Sequence, residues 1–161
     1  MKTFTATAML LTLVLVTFVG CQTKDRAISQ NNAGVEYYKV AQRQAMQGAT
    51  AQKIVLLRQS IKKFTEAIQS DPALEMAYMN RANAYRIFGQ YEEALEDYNK
   101  VIGLNPDNAE AHFNKGMTHH ELEEYQEALK EYDSAIGLNP DNAEVHLHRG
   151  ITHFELGQHL G

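Results

Sequence analysis

The chain divides into three stretches according to the pattern of its apolar and polar positions. Residues 6–19 form an uncharged apolar run, residues 22–32 are polar without a hydrophobic period, and the remainder repeats a common pattern. Within the remainder, Pro72, Pro106 and Pro140 are evenly spaced, and GLNPDNAE occurs at 103–110 and at 137–144. A fixed period of about 34 residues indicates a stack of similar units, none of which can bury its apolar face alone.

The repeated positions resemble those of the tetratricopeptide repeat. They are Tyr78, Ala82, Tyr85, Gly89, Tyr91, Ala94, Tyr98 and Pro106, followed by His112, Gly116, His119, Glu123, Tyr125, Ala128, Tyr132 and Pro140. The resemblance implies an all-α fold, in which tetratricopeptide helical-hairpin repeats stack in a right-handed superhelix (an α-solenoid) with a concave groove. The predicted domain, 33–161, comprises an irregular first repeat at 33–74, repeats at 75–108 and 109–142, and a partial repeat at 143–161.

Small residues let neighbouring helices pack closely, and aromatic rings fill the space beside them. The small positions are Ala82, Gly116, Gly150, Ala94 and Ala128, and the rings are Tyr98 and Tyr132. Gly89 is expected in the turn between two helices, where a permissive backbone is needed. Asp107 with Glu110 has the spacing of a capping box that begins the next helix, and the same spacing recurs in the following repeat.

The first repeat departs from the regular length. Its helices are predicted at 33–47 and 53–70, with Tyr37 and Ala41 near the signature places. Measured from Tyr37, the second helix begins about seven residues late, which predicts an insertion at 48–55 that lengthens the helices by up to two turns.

The last repeat is predicted to contain one helix, at 143–156, followed by a turn from Gly157. This helix either caps the stack or belongs to a truncated member of a longer family. Its open side carries small and apolar residues, so we expect weak self-association through this C-terminal edge.

Residues 1–20 have the pattern of a secretory signal peptide: Lys2, then the apolar run, then Gly20 before Cys21. The end of this segment resembles the lipobox of bacterial lipoproteins, although Phe18 stands where such proteins favour Leu. The resemblance implies that acyl chains such as palmitate are attached to Cys21, that 21–32 forms a polar tether, and that the protein is anchored to a membrane of the bacterial cell envelope. Gln22, rather than Asp, follows the Cys, which resembles lipoproteins sorted to the outer rather than the inner membrane of Gram-negative envelopes. The alternative is a plain signal peptide or uncleaved anchor with an incidental Cys.

Charge and residue inventory exclude several classes of function. The formal net charge of −5 argues against a nucleic-acid partner, which requires a basic face. A single Cys excludes an internal disulfide framework. The sequence has no GxSxG, phosphate-binding loop or dinucleotide fingerprint, so we expect no enzyme activity and no cofactor. The His residues at 112, 119, 146 and 153 are repeat copies that replace core aromatic residues, so no metal site is expected.

In the tetratricopeptide family, the first helix of each repeat lines the concave face. The resemblance therefore implies a partner-binding groove formed by Met76, Met79, Asn80, Asn83, Arg86, Glu110, Phe113, Asn114, Met117, His120, Leu147, His148 and Ile151. Asn83 and Asn114 are expected to be solvated and available to a peptide backbone. The alternative is that several of these residues pack between adjacent first helices.

The leading function is a protein-interaction scaffold that binds a partner protein or peptide in the groove. The scaffold is expected to be a membrane-anchored envelope lipoprotein that acts in pilus, secretion or cell-envelope assembly. One alternative is a soluble or inner-membrane co-chaperone-like adaptor. Chaperone-binding members use a clamp of two Lys, two Asn and one Arg, and only Asn83 and Asn114 match it here, because Met79, Glu144 and His148 stand at the cationic places. A second alternative is a noncatalytic subunit of an enzyme complex.

Overall fold

The protein is all-α. A computed structural model describes residues 3–46 and 50–159, and it describes side chains at 19–43 and 51–157. Its helices are α1 (Thr3–Met46), α2 (Thr50–Ser70), α3 (Glu75–Phe88), α4 (Tyr91–Leu104), α5 (Ala109–Glu121), α6 (Tyr125–Leu138) and α7 (Ala143–His159). Consecutive helices form antiparallel hairpins, α1 with α2, α3 with α4 and α5 with α6, and α7 packs on the last of these.

The hairpins stack in chain order, which confirms the predicted tetratricopeptide solenoid. Helix α2 packs on α3, α4 on α5 and α6 on α7, while the first helices of neighbouring hairpins also touch. The core is divided into three clusters, centred on the buried rings of Phe64, Tyr98 and Tyr132. These rings lie one repeat period apart, so each hairpin has one large ring at the same place in its second helix.

Gly116 makes the close helix contact that the sequence predicts. A Cβ atom added there would lie 2.6 Å from Cε1 of Tyr132, whose ring is fully buried and has no room to move away. The residue at this place therefore has to be small because the ring occupies the position of its side chain. Gly150, the next copy, has no atom within 4 Å of an added Cβ in the part of the chain that the structure describes.

The first hairpin has a different register from the one predicted. Its small residue is Gly34, where an added Cβ would meet the Phe64 ring at 2.5 Å. The sequence separation of Gly34 and Phe64 exceeds that of Gly116 and Tyr132 by about 14 residues, which lengthens the two helices by about two turns each. The assignment of Tyr37 and Ala41 to the signature places, seven residues later, was therefore wrong.

Residues 22–32, predicted to be a polar tether outside the domain, are helical and pack on it. They belong to α1, which is continuous through Cys21, and they contribute Ala27 and Asn31 to the buried side of that helix. Gln30 accepts a hydrogen bond from Ser70 at the end of α2 (2.9 Å). The first helix of the domain thus packs against its neighbours from Ala27 onward, six residues earlier than the boundary predicted at 33.

The turns confirm one local prediction and correct two others. Gly89 ends α3 with φ +84°, the left-handed conformation that glycine adopts without strain. In the next repeat, Glu123 takes this place with φ +62°.

The residue that caps α5 is Asn108, not Asp107: its side-chain oxygen accepts a hydrogen bond from the N–H of Ala111 (2.9 Å). Helix α7 continues to His159, so the turn predicted at Gly157 is absent.

Candidate partner-binding surface

The first helices α1, α3, α5 and α7 lie side by side and form the face that is predicted to be concave. Where two of these helices meet, three residues predicted to line the groove make contacts across the seam. The Asn80 amide donates to Oδ1 of Asn31 (3.0 Å), and the Phe113 ring meets the His148 ring edge-on, with centroids 5.4 Å apart. Asn80, Phe113 and His148 therefore join the repeats to one another.

A second row of seam contacts lies one to two turns further along these helices. Nη1 of Arg86 on α3 donates to Oε1 of Glu121 on α5 (2.8 Å). In the next seam, Nε2 of His120 lies 2.8 Å from Oε2 of Glu155 on α7, at an angle outside hydrogen-bond geometry. The positive charge of Arg86 is thus already matched by a carboxylate of the same protein.

Asn83 is half-buried and Asn114 is buried, although both were predicted to be solvated. Oδ1 of Asn83 accepts a hydrogen bond from the buried hydroxyl of Tyr98 (2.6 Å). Burial raises the pKa of Tyr98 well above its ordinary value, so this hydroxyl is a donor at all physiological pH values. Asn114 is 7% exposed, and its Nδ2 reaches Sδ of Met79 at 3.9 Å. The predicted solvation is therefore wrong for most of the Asn114 side chain, which meets solvent only where it lines an open cavity, whereas Asn83 is half-buried with its oxygen bonded to Tyr98.

The accessible part of the predicted groove is smaller and lies towards the N-terminal ends of the first helices. Met76 is 60% exposed and Leu147 is 62% exposed, Ile151 and Glu110 are also exposed, and Met117 is half-buried. We call this set the concave surface: Met76, Glu110, Met117, Leu147 and Ile151. It is the portion of the predicted groove that another molecule reaches without opening the seams.

Two open cavities border the concave surface. The first, about 380 Å³, is lined by Leu74, Glu75, Met76, Met79, Asn108 and Glu110. The second, about 480 Å³, is lined by Ala109, Glu110, Phe113, Asn114, Met117, Asn139, Asn142 and Glu144. Glu110 belongs to both, so an apolar cavity and a polar one lie side by side with a carboxylate between them.

Buried ion pairs hold the second helices against the first, and sequence reasoning missed them. Arg81 on α3 donates through Nε and Nη2 to Asp97 on α4 (2.7 and 2.8 Å). In the next hairpin, Glu131 takes the place of Asp97 and contacts Lys115 and His112, both at 2.7 Å. His112 therefore does not simply replace a core aromatic residue. Arg81 and Asp97 have the same sequence separation as Lys115 and Glu131, a regularity that would have revealed both pairs.

Burial and hydrogen bonding shift the pKa values of the two carboxyl groups in opposite directions. Burial raises the pKa of Asp97, and the Arg81 hydrogen bond only partly offsets it. Burial also acts to raise the pKa of Glu131, but hydrogen bonds from Lys115 and His112 outweigh it and the pKa is lowered overall. Glu131 is consequently ionised in the folded protein at neutral pH.

Cys21, the predicted lipid-attachment residue, is exposed on α1, where its Sγ lies 3.8 Å from Oδ2 of Asp25. Six residues of helix, about 9 Å, separate it from Ala27, the first buried residue among the side chains described. Among the residues described, no helix has the length and apolar character needed to cross a membrane. The same residues contain no group of three His, Cys, Asp or Glu side chains arranged to hold a metal ion.

Comparison with known proteins identifies the repeats. A model of the tetratricopeptide repeat matches residues 82–122 and 116–157. Tetratricopeptide repeat protein 36 of Caenorhabditis briggsae is 56% identical over 41 residues, which are 26% of this chain and 23% of that protein. Its Caenorhabditis elegans counterpart is 35% identical over 65 residues, 40% and 36% of the two chains. The chain carries tetratricopeptide repeats, and it spans a quarter to a third of the length of these relatives.

A similar solved structure extends the likeness to the whole stack. The first tetratricopeptide domain of Spaghetti (RPAP3), solved with the HSP90 peptide SRMEEVD, superposes with a TM-score of 0.71 at 24% identity. The match covers 83% of this chain and 95% of that one, so it includes the irregular first hairpin. At this level of identity the comparison shows a common fold.

Proposed function

We propose that the protein is a noncatalytic interaction scaffold that binds a segment of a partner protein on the concave surface. The observation that carries the proposal is the pair of cavities beside Met76 and Glu110, where exposed apolar side chains adjoin polar ones. Apolar side chains that converge with a few polar groups in a concave surface are typical of binding sites. The RPAP3 domain with the same arrangement of helices was solved with a peptide, which supports a peptide-like occupant.

Photocross-linking in intact cells tests this proposal. A photoreactive amino acid at Met76, on the concave surface, should give a discrete adduct with a partner protein. The control is the same amino acid at Leu104, an exposed apolar residue on the second helix α4. Equal adducts from both positions, or none from Met76, would place the binding surface elsewhere.

We also propose that the protein is a lipoprotein of the bacterial cell envelope, anchored through acylated Cys21. The proposed membrane is the outer rather than the inner one, and the proposed role is in pilus, secretion or envelope assembly. The apolar run that ends at Gly20 and the exposure of Cys21 support an anchor there. The domain would then stand on a short helix rather than on a flexible tether. Cys21→Ala should abolish incorporation of a labelled fatty acid and release the protein from the membrane fraction, and retention of both would refute the anchor.

A co-chaperone-like adaptor is the second candidate, favoured by the HSP90 peptide of the RPAP3 complex. That peptide ends in Glu-Glu-Val-Asp, so it needs unpaired cations in the groove. Here Arg86 is paired with Glu121, and carboxylates of Glu110 and Glu144 line the second cavity. An acidic peptide would meet like charges on this surface, so the general scaffold is the better supported function.

A further inference from the structure

The concave surface and the polar cavity beside it carry two carboxylates that no positive charge of the described residues matches. Glu110 on α5 and Glu144 on α7 are exposed and line the same cavity, and neither has an ion-pair partner among the described residues. Arg149 on α7 is turned away and bonds Asp133 on α6 (2.7 Å). Because the axes of packed helices lie about 10 Å apart, one long cationic side chain between the two carboxylates can approach both.

A buried amide in the same cavity lacks an adequate partner. Asn114 is more than nine-tenths buried and lines the cavity, yet its one contact is the 3.9 Å approach of Nδ2 to a thioether sulfur, a weak acceptor. Its Oδ1 accepts no hydrogen bond from any described residue. This oxygen is not one of the fully buried side-chain atoms that lack a partner, so it is open to the cavity, where an N–H donor of a ligand can reach it.

The neighbouring cavity supplies the apolar part of the surface. Leu74, Met76 and Met79 line it, and Glu110 forms its border with the polar cavity. Methionine side chains adapt to ligands of different shape, which suits a surface that accepts an apolar side chain rather than one fixed molecule.

We propose that this surface selects a basic, amphipathic segment of a partner protein, in which Lys or Arg adjoins an apolar residue. The cation lies between Glu110 and Glu144 and donates to Oδ1 of Asn114, while the apolar neighbour enters the cavity beside Met76. The inference rests on the binding role proposed above and adds the chemistry of the ligand: the surface favours basic segments and rejects acidic ones.

A phage-displayed library of random dodecapeptides, selected on the purified full chain, tests the charge preference. The expected result is enrichment of Lys or Arg next to Leu, Ile, Met or Phe. Enrichment of acidic or uncharged peptides whose binding is lost in Met76→Asp would overturn the basic preference and leave the scaffold function standing. Failure to enrich any peptide would overturn both.

Matched single substitutions then locate the charge effect. Glu110→Gln should weaken the affinity for the best selected peptide about three- to fivefold, and by less at high salt, because an ion pair is removed. Glu127→Gln is the control: it makes the same change in net charge at an exposed position on the second helix α6 and should change the affinity less than twofold. Equal effects of the two substitutions would show that only the overall negative charge attracts the peptide, and this result would overturn the proposed site.

Discussion

The repeat geometry makes one substitution act in opposite directions at equivalent positions of two successive repeats. Gly116→Ala places a methyl group 2.6 Å from a carbon of the buried Tyr132 ring and 3.2 Å from the carbonyl oxygen of Ala128. Gly150→Ala places it where no atom of the described residues lies within 4 Å. Both substitutions raise helix propensity equally, so the difference between them isolates the packing contribution.

The magnitudes follow from these two effects. Replacing glycine by alanine inside a helix stabilises it by about 1 kcal/mol. Overpacking a well-filled contact destabilises by about 1–3 kcal/mol. We therefore expect Gly150→Ala to raise the free energy of unfolding by about 1 kcal/mol, and Gly116→Ala to lower it by about 1 kcal/mol, a separation of about 2 kcal/mol.

Urea unfolding followed by circular dichroism measures both free energies under one set of conditions. Because a repeat stack can unfold in parts, coincidence of the far-ultraviolet and tyrosine-fluorescence transitions has to be checked first. Gly34→Ala is a third member of the series and should behave like Gly116→Ala, since its added Cβ would meet the Phe64 ring at 2.5 Å. If Gly116→Ala and Gly150→Ala shift the midpoint in the same direction by the same amount, the close-contact explanation of the repeat period is wrong.

Three further substitutions test other contacts. Glu123→Gly should stabilise the fold by about 1 kcal/mol because φ is +62° there, and Gly89→Ala should destabilise it by a similar amount, both measured by urea unfolding. Tyr98→Phe should cost about 1 kcal/mol through the lost 2.6 Å hydrogen bond. Tyr132→Phe should cost less than about 0.5 kcal/mol because its hydroxyl, although near Thr152, has no partner of hydrogen-bond geometry among the described residues. The pKa of Glu131 is lowered in the folded protein, so this carboxylate contributes to stability above its ordinary pKa of 4.5, and the contribution is lost as the pH falls through the folded-state pKa. Glu131→Gln should therefore flatten the decline of melting temperature below pH 4.5. An unchanged decline would contradict this assignment.

The sequence predicted the second and third hairpins in detail because their period is unbroken. Gly116 and Tyr132 occupy the places of Ala82 and Tyr98 one period earlier, so each copy supports the assignment of the other. In the first hairpin, the signature places on α1 were assigned two turns too late, because the additional residues of this hairpin break the repeat period between α1 and α2. A local signal was present, since Phe64 lies one period before Tyr98 and fixes the register of α2.

The N-terminal boundary was misjudged because composition concealed a helical stripe. Residues 22–32 are mostly polar, but Ala27, Asn31 and Gly34 follow one another at four and three residues and form the buried side of α1. A stripe of small residues carries little hydrophobicity, so it gives a weak periodic signal even where helices pack closely.

The depth of each residue in the groove could not be predicted from the sequence. The concave surface and the seams between first helices use the same side of each helix, so helical phase alone does not separate them. Asn80 and Met76 illustrate the point: they are four residues apart on α3, yet one bonds Asn31 across a seam and the other is 60% exposed. Whether a residue is buried in a seam or exposed depends on the residue opposite it on the adjacent helix, and the position of that residue depends on the packing angle between repeats.

The affinity of a library-selected peptide for two double variants tests the central claim, binding on the concave surface, most directly. Met76→Asp with Leu147→Asp alters two exposed residues of that surface, and Leu104→Asp with Leu138→Asp alters two exposed residues of the second helices. Both pairs should leave the melting temperature within a few degrees of the parent, because all four side chains are largely outside the core. We predict that the first pair abolishes binding and the second leaves it unchanged. Equal binding by both variants, or loss only in the second, would contradict the account.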